Sequence, residues 1–226
     1  MICHYTEETI FDLVNRQVGN FWPVKIEDTQ LLSLHQALRR LDENFQARNS
    51  SVFFGGEGEG RFDVLHSVQY MVFLWTYANQ LYRDGKADSA TAVYYLNKVM
   101  HANDWFYAVE LPPHFSAEHP LGSVMGRAQY GDYLFFYQNT TVGGNRDKAG
   151  NLSYPKLGHH VTLYSGAKIL GNTTVGNYVI FGADAYAINE TIPDNCIVFG
   201  KSPNLTIVQK DREYIAERIA HLWREA

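Results

Sequence analysis

The chain has little cysteine: Cys3 and Cys196 are the two among its 226 residues, and they lie far apart. Their spacing fits neither a metal-binding pair nor a disulfide framework, so we expect free thiols in a reducing, cytoplasmic compartment. No apolar run reaches the roughly eighteen residues that a membrane helix needs, so we expect no membrane span. The segment 1–14 is acidic, where a signal peptide would begin with basic residues followed by an apolar run.

An excess of positive charge is also missing. The net charge is −5, which gives no electrostatic footprint for nucleic acid. The sequence has no phosphate loop of the Gly-x-x-x-x-Gly-Lys type, no His-Glu-x-x-His zinc motif and no Gly-x-Ser-x-Gly nucleophile elbow. We therefore expect neither a bound metal nor a nicotinamide cofactor.

A repeat of six residues dominates the second half of the chain, between Leu157 and Ile192. Its apolar or small positions are Leu157, Leu163, Ile169, Val175, Phe181 and Ala187. This period belongs neither to an ordinary strand nor to an α-helix. It is typical of a parallel β-helix, where each hexad supplies one short strand and one turn. The regularity favours this fold over chance alternation in a β-sandwich.

The same period occurs upstream at Val124, Tyr130, Phe136 and Val142. It fails between Val142 and Leu157, so we expect the segment 143–156 to leave the coil as a loop. The repeat thus predicts a coil over 110–206 with one protruding insertion.

The first half is predicted to be helical. Leu31, Leu34, Leu38, Leu41 and Phe45 follow the three-and-four spacing of an amphipathic helix. Further helices are expected over 61–83 and 87–101. The glycine-rich stretch 51–60, which precedes the helix expected over 61–83, predicts a mobile or turned loop rather than a regular element.

These patterns divide the chain into a helical domain over 1–109, the hexad domain over 110–206 and a C-terminal tail over 207–226. Pro112 and Pro113 mark the first boundary, since proline cannot continue a helix. Ile215, Ile219 and Leu222 keep helical spacing in the tail, which predicts a short helix packed on the coil or on a neighbour.

The segment 118–145, EHPLGSVMGRAQYGDYLFFYQNTTVGGN, resembles the serine acetyltransferase branch of the hexapeptide-repeat acyltransferases. The shared features are Glu118 and His119, then Gly122, then hexads, then Gly143 and Gly144 before a loop. The segment SGAKILGN at 165–172 is similar to the later coils of that family. The resemblance implies an α+β protein, with a helical domain, a left-handed parallel β-helix and a short terminal helix. It also implies a homotrimer that binds acetyl-CoA between two coils.

The resemblance implies a role for His119 as the general base that takes the proton of the acceptor. Histidine suits this task because its proton equilibrium lies near neutral pH. Glu118 flanks it, and Glu110, in the segment Val109–Leu111, resembles the carboxylate that orients the base in the family. The separation from Glu110 to His119 is six residues shorter than in the family, which leaves its role open.

The donor site is also implied by the resemblance. Backbone N–H groups near Gly143 and Gly144 are candidate donors to the oxyanion. The pantetheine arm of acetyl-CoA is expected along Ser165 and Ala183, and Lys201 is the candidate partner for a CoA phosphate. No metal is expected to take part.

The chain departs from the serine enzymes at the end of the loop. Those enzymes carry Arg-His before Pro-Lys, whereas this chain has Ser153 and Tyr154 before Pro155 and Lys156. Tyr154 is the candidate acceptor contact, but the guanidinium that could grip a carboxylate is missing from this position. We therefore expect weaker use of serine. Glu57, Glu59 and Asp63 are candidates for the acidic contacts of the helical domain by position alone.

The leading prediction is an acetyl-CoA-dependent acetyltransferase that modifies a hydroxyl of a small molecule, serine O-acetyltransferase-like. One alternative is a sugar or nucleotide-sugar O- or N-acetyltransferase of surface-polysaccharide synthesis. The other is a non-catalytic, trimeric β-helix scaffold. His119 and the paired glycines favour an enzyme over a scaffold.

Overall fold

A computed structural model of the chain describes residues 1–56 and 58–225. The chain divides into two units, Met1–Ala108 and Val109–Ala226. None of the helices in the described part combines the length and the apolar character that a bilayer crossing needs. The predicted domain boundaries at 109/110 and 206/207 stay predictions.

Helices form most of the first unit. They are α1 (Glu7–Phe21), α2 (Leu31–Gln46), α3 (Ser67–Arg83) and α4 (Ala87–His101). Helix α3 is buried from Gln69 to Leu81, because α2 and α4 both pack against it. A helix that is apolar around most of its circumference is a core helix, and α3 has this pattern. Phe73 and Tyr77 stack within it at 6.0 Å and are both buried, so these two rings are packing residues.

The glycine-rich stretch differs from its prediction. Strand β1 (Ile2–Cys3) lies parallel to β3 (Glu59–Phe62), and β3 pairs in turn with the antiparallel β2 (Phe54–Gly56). The prediction of a loop without regular structure is wrong, and α3 begins at Ser67 rather than near 61. Pairing with a segment sixty residues away is a tertiary effect that local periodicity does not record. A short strand, β4 (Asp104–Trp105), ends the elements of this unit.

The second unit is a coil of short parallel strands with three faces. Face 1 holds β5 (Phe115–Ala117), β8 (Leu134–Phe136), β13 (Thr162–Leu163), β16 (Val179–Phe181) and β19 (Cys196–Lys201). Face 2 holds β6 (Val124–Met125), β9 (Thr141–Gly143), β14 (Lys168–Leu170) and β17 (Tyr186–Ile188). Face 3 holds β7 (Gln129–Tyr130), β12 (Lys156–Leu157), β15 (Thr174–Val175) and β18 (Thr191–Ile192).

The chain visits the faces in the order 1, 2, 3 and repeats. We call the corner from face 1 to face 2 the first edge, the next corner the second edge, and the corner from face 3 to face 1 the third edge. Parallel pairing keeps successive turns in register, for example Leu163 with Phe181 and Ile169 with Ala187. Successive turns are therefore about 4.8 Å apart along the coil axis.

The interior of the coil is built from the predicted hexad positions, with one correction. All six positions from Leu157 to Ala187 are buried, as are Phe136 and Val142. Val124, however, is 36% exposed, and its neighbour Met125 is fully buried instead. Met125 pairs with Val142, which places Met125 in the inward-facing ladder. A shift of one residue reverses the face to which a strand side chain points, and this is what happens in the first turn.

The segment between Gly143 and Lys156 leaves the coil, as the interrupted spacing predicts. It forms a small antiparallel hairpin of β10 (Asn145–Arg146) and β11 (Leu152–Ser153). Asp147 caps its turn by accepting hydrogen bonds from the backbone N–H groups of Ala149 and Asn151, each at 2.9 Å. The hairpin therefore protrudes from the second edge.

The chain ends in β20 (Asn204–Gln209), antiparallel to β19, and helix α5 (Arg212–Ile219). The tail predicted from 207 thus begins as a strand, and the helix starts at Arg212. Trp223 is buried and contacts the rings of Tyr133 and Phe135 edge-on, at 5.5 and 6.1 Å. The end of the chain consequently covers part of face 1, as the apolar spacing predicts.

Candidate active site

His119 lies on the first edge, in the turn that joins β5 to β6. Its backbone has φ +49°, in the left-handed region that non-glycine residues rarely adopt. The coil repeats a left-handed residue at this edge, at Gly122, Asn139, Gly166 and Asp184. His119 stands outside that column, so the repeat itself does not require its conformation. The turn is fixed by hydrogen bonds from Leu121 N–H to the His119 carbonyl and from Glu118 N–H to the Phe136 carbonyl, at 2.8 and 3.1 Å.

The imidazole of His119 faces solvent. Glu118 beside it is also exposed, as is Glu110 before the first strand of the coil. This exposure suits a side chain that meets a diffusing acceptor. The assignment of Glu110 or Glu118 as the group that orients the imidazole stays a prediction.

Ser165 and Ala183 lie at successive turns of the same edge. Each immediately precedes a left-handed residue of the column, Gly166 and Asp184, and Asp184 N–H donates to the Ser165 carbonyl at 2.9 Å. Ser165 is half-buried and Ala183 is exposed, so their small side chains leave the edge open. Lys201 is exposed at the end of β19, where it pairs with Tyr186 on face 2. The structure therefore aligns His119, Ser165, Ala183 and Lys201 along one side of the coil.

Gly143, Gly144 and Tyr154 lie at the second edge instead. Gly143 ends β9, and Gly144 links it to the first strand of the hairpin. A Cβ atom on Gly144 would lie 2.8 Å from Cε1 of Tyr154, so the absence of a side chain lets the Tyr154 ring pack on the backbone there. The structure brings Gly144 and Tyr154 together, but face 2 separates both from His119 within one chain.

Arg127 is a residue of this cluster that sequence reasoning missed. It lies between β6 and β7, and its guanidinium stacks on the Tyr154 ring at 5.3 Å from the ring centroid. Its Nη1 also donates a hydrogen bond to the Tyr154 hydroxyl at 3.3 Å. The two residues are 27 positions apart in the chain. The register of face 3 accounts for this contact. Gln129 pairs with Lys156 across one coil turn and the inserted hairpin. Arg127 and Tyr154 each lie two residues earlier, so the same separation brings them together.

The third edge carries a column of stacked rings. His160 lies between Tyr133 and Tyr178, at centroid distances of 4.5 and 4.4 Å, and His114 stacks on the other side of Tyr133 at 4.9 Å. His114 Nδ1 lies 2.8 Å from Asp132 Oδ2. Burial alone would raise the pKa of Asp132, but the hydrogen bonds and charge of His114 hold that pKa below its usual value. His160 is buried within this column, at 7% exposure, whereas the neighbouring His159 is exposed.

The acidic candidates of the first unit have local structural contacts. Glu59 is exposed, and one of its carboxylate oxygens lies 3.8 Å from the N-terminal amine of Met1. Asp63 accepts a hydrogen bond from Leu65 N–H at 2.8 Å, which forms the turn before α3. Glu57 lies outside the described residues. Across the described part of the chain, no group of three or more histidine, cysteine, aspartate or glutamate side chains is arranged to hold a metal ion.

Comparison with known proteins bears on both fold and sequence. No family model matches the chain. A serine acetyltransferase of Synechococcus elongatus is 37% identical over 84 residues, which are 37% of this chain and 34% of that protein. A serine acetyltransferase of Staphylococcus xylosus is 26% identical over 162 residues, 70% of this chain and 73% of its own length. The first match thus spans about a third of the Synechococcus protein's length.

The crystal structure of a Brucella abortus serine acetyltransferase in complex with coenzyme A superposes with a TM-score of 0.68 at 20% identity, covering 92% of this chain and 84% of that one. The predicted fold class, α+β with a left-handed parallel β-helix after a helical region, is confirmed. The predicted resemblance to the serine acetyltransferase branch of the hexapeptide-repeat acyltransferases is likewise confirmed by the relatives in sequence and by the fold.

Proposed function

We propose that this protein is an acetyl-CoA-dependent acetyltransferase that modifies a hydroxyl of a small acceptor, serine O-acetyltransferase-like. The observation that supports it most is the alignment of His119, Ser165, Ala183 and Lys201 along the first edge. His119 and Lys201 are four coil turns apart, which is about 19 Å. An extended pantetheine arm fits this span, with the thioester near His119 and the CoA phosphates near Lys201.

In the proposed reaction, His119 takes the proton of the acceptor hydroxyl as its oxygen attacks the thioester carbonyl. The carbonyl oxygen becomes an oxyanion, which backbone N–H groups at Gly143 and Gly144 would stabilise. Collapse of this intermediate forms the acetyl ester and releases CoA as a thiolate, which then gains a proton.

Two edges supply the groups for this reaction, so we propose that the site forms between copies of the chain in a homotrimer. When three coils meet through face 2, the first edge of each copy faces the second edge of the next. Leu121, Val124 and Tyr164 lie on this side and are 58%, 36% and 37% exposed. Contact between copies in the proposed trimer would cover these apolar side chains.

We also propose a cytoplasmic location, because Cys3 and the buried Cys196 are both free thiols. The relatives with which this chain aligns are named serine acetyltransferases, so serine is one of the candidate acceptors.

The test is a thiol-release assay with acetyl-CoA against a panel of hydroxy amino acids, sugars and nucleotide sugars. Acceptor-dependent release of CoA, with an acetyl ester found by mass spectrometry, is the expected result. If no acceptor stimulates the release of CoA and acetyl-CoA does not bind, the result would favour the non-catalytic scaffold over the enzyme.

A further inference from the structure

The second edge carries a cationic side chain whose position is fixed by two contacts. The Arg127 guanidinium stacks on the Tyr154 ring and donates to the Tyr154 hydroxyl. The ring is itself positioned, because it packs on the backbone of Gly144 and next to the Leu152 side chain. A flexible surface arginine is thereby held in one place.

Most of the hydrogen-bond donors of Arg127 remain available to a ligand in this stacked arrangement. A guanidinium has five N–H donors in one plane, and stacking covers its face while leaving its edge open. One donor bonds to Tyr154. Arg127 is exposed, and among residues 1–56 and 58–225 no carboxylate lies within ion-pair distance of it. A planar fork of this kind suits a carboxylate or a similar compact oxyanion.

The height of Arg127 along the coil indicates which part of a bound substrate it would meet. His119 and Arg127 both belong to the first turn, on either side of β6. Lys201 lies about 19 Å further along the axis. Between two copies arranged as proposed, Arg127 of one would face the reacting end of the site rather than its CoA-phosphate end.

We propose that Arg127 binds an anionic group of the acceptor, so that the acceptor is a hydroxyl compound carrying a carboxylate or similar oxyanion. This inference rests on the proposed acetyltransferase function and adds the chemical class of the acceptor. Tyr154 occupies the position before Pro155 and Lys156. The Arg127 guanidinium, which comes from the first coil turn, lies against the ring of that tyrosine. Neutral sugars are disfavoured as acceptors.

The experiment compares acceptors in matched pairs that differ in one charge. The pairs are L-serine with L-serinamide, L-homoserine with L-homoserinamide, and D-glucuronate with D-glucose. Thiol release is measured for the full-length wild type, Arg127→Gln and Arg127→Lys. Arg218→Gln is the matched control, since Arg218 stacks on Tyr214 at 5.1 Å with a 2.8 Å hydrogen bond, in helix α5.

Wild type should turn over the acidic member of at least one pair better than its neutral partner. Arg127→Gln should raise KM for that acid about 10- to 100-fold, the value of one charge-assisted contact, and leave KM for acetyl-CoA unchanged. Arg127→Lys should recover part of the loss, because it keeps the charge without the planar fork. Arg218→Gln should behave as wild type.

Calorimetric titration of the three acids into the CoA-loaded protein provides a readout that does not need turnover. Weaker binding of an acid to Arg127→Gln than to wild type supports the inference. No preference for acids in wild type, no binding of any acid, or a changed KM for acetyl-CoA alone would overturn it. Acetyl transfer to the neutral members without such a preference would leave the proposed function intact, whereas loss of all transfer and of acetyl-CoA binding counts against that function itself.

Discussion

The imidazole of His160 lies parallel to the phenol ring of Tyr133, with 4.5 Å between ring centroids and 3° between their planes. Burial is the main cause that lowers the pKa of His160 from 6.5 to about 4. The neighbouring His159 and Arg212 also lower this pKa, whereas the Asp132 carboxylate raises it. The folded third edge therefore favours the neutral imidazole. The unfolded chain takes up this proton near pH 6.5, but the folded chain takes it up only near pH 4.

We expect the free energy of unfolding to fall as pH drops from about 6.5 to about 4. The contribution of His160 to this loss is on the order of 3 kcal/mol at most. His160→Phe keeps a stacked ring without a titrating group and should flatten the slope in this range. Denaturation followed by circular dichroism at several pH values measures it, with the exposed His4→Phe as control. An unchanged slope in His160→Phe would contradict the prediction.

His119→Ala should remain folded, because an exposed corner residue leaves the ladder of Met125, Phe136 and Val142 intact. It should still bind acetyl-CoA, and its rate of transfer should fall by ~10²–10⁴, the loss typical of removing a general base. His119→Asn should be about as inactive, since an amide cannot accept the proton. Near wild-type turnover in folded His119→Ala would place the base elsewhere.

Ala183→Trp should block acetyl-CoA binding without unfolding the coil. Ala183 is exposed on the first edge, so an indole there fills the proposed groove rather than the core. The control is Thr191→Trp, an exposed position on face 3 at the same height. Equilibrium binding of CoA to both folded variants measures the effect. Equal affinity in Ala183→Trp and wild type would refute the assignment of the groove.

A trimer should be stable at micromolar concentration, and sedimentation measures this directly. If the site lies between copies, His119→Ala and Arg127→Gln trimers should complement each other after mixing and reassembly, when they are assayed at an acceptor concentration far below the wild-type KM. Random mixing in equal amounts leaves about a quarter of the sites with both native groups. Each variant reassembled alone is the control. A stable monomer, or mixed trimers no more active than the controls, would exclude this arrangement.

L-serine should be turned over weakly compared with the best acceptor in a broad panel. Tyr154 can donate a hydrogen bond, but a tyrosine cannot serve as the base that a histidine provides beside the acceptor. The double change Ser153→Arg and Tyr154→His restores the basic pair of the serine enzymes and should raise kcat/KM for serine. Serine as the best acceptor of the unaltered protein would show that our interpretation of this loop is wrong.

Much of the fold could be predicted from the amino-acid order. The hexads repeat because each turn of the coil buries one residue per face, so a purely local spacing specifies the coil and the point where the hairpin leaves it. The amphipathic spacing of α2 and the apolar residues of α5 have the same local origin. The resemblance on which His119 was chosen also lies within one continuous segment.

Long-range contacts decided the rest. Met125 rather than Val124 faces inward because the register of the first turn is set by Val142, not by the hexad count. Strand β3 exists because Ile2 pairs with Arg61. His160 is buried because rings from three turns stack on one edge. Arg127 joins Tyr154 because one coil turn and a hairpin bring them to the same corner, a distance in sequence that no local pattern measures.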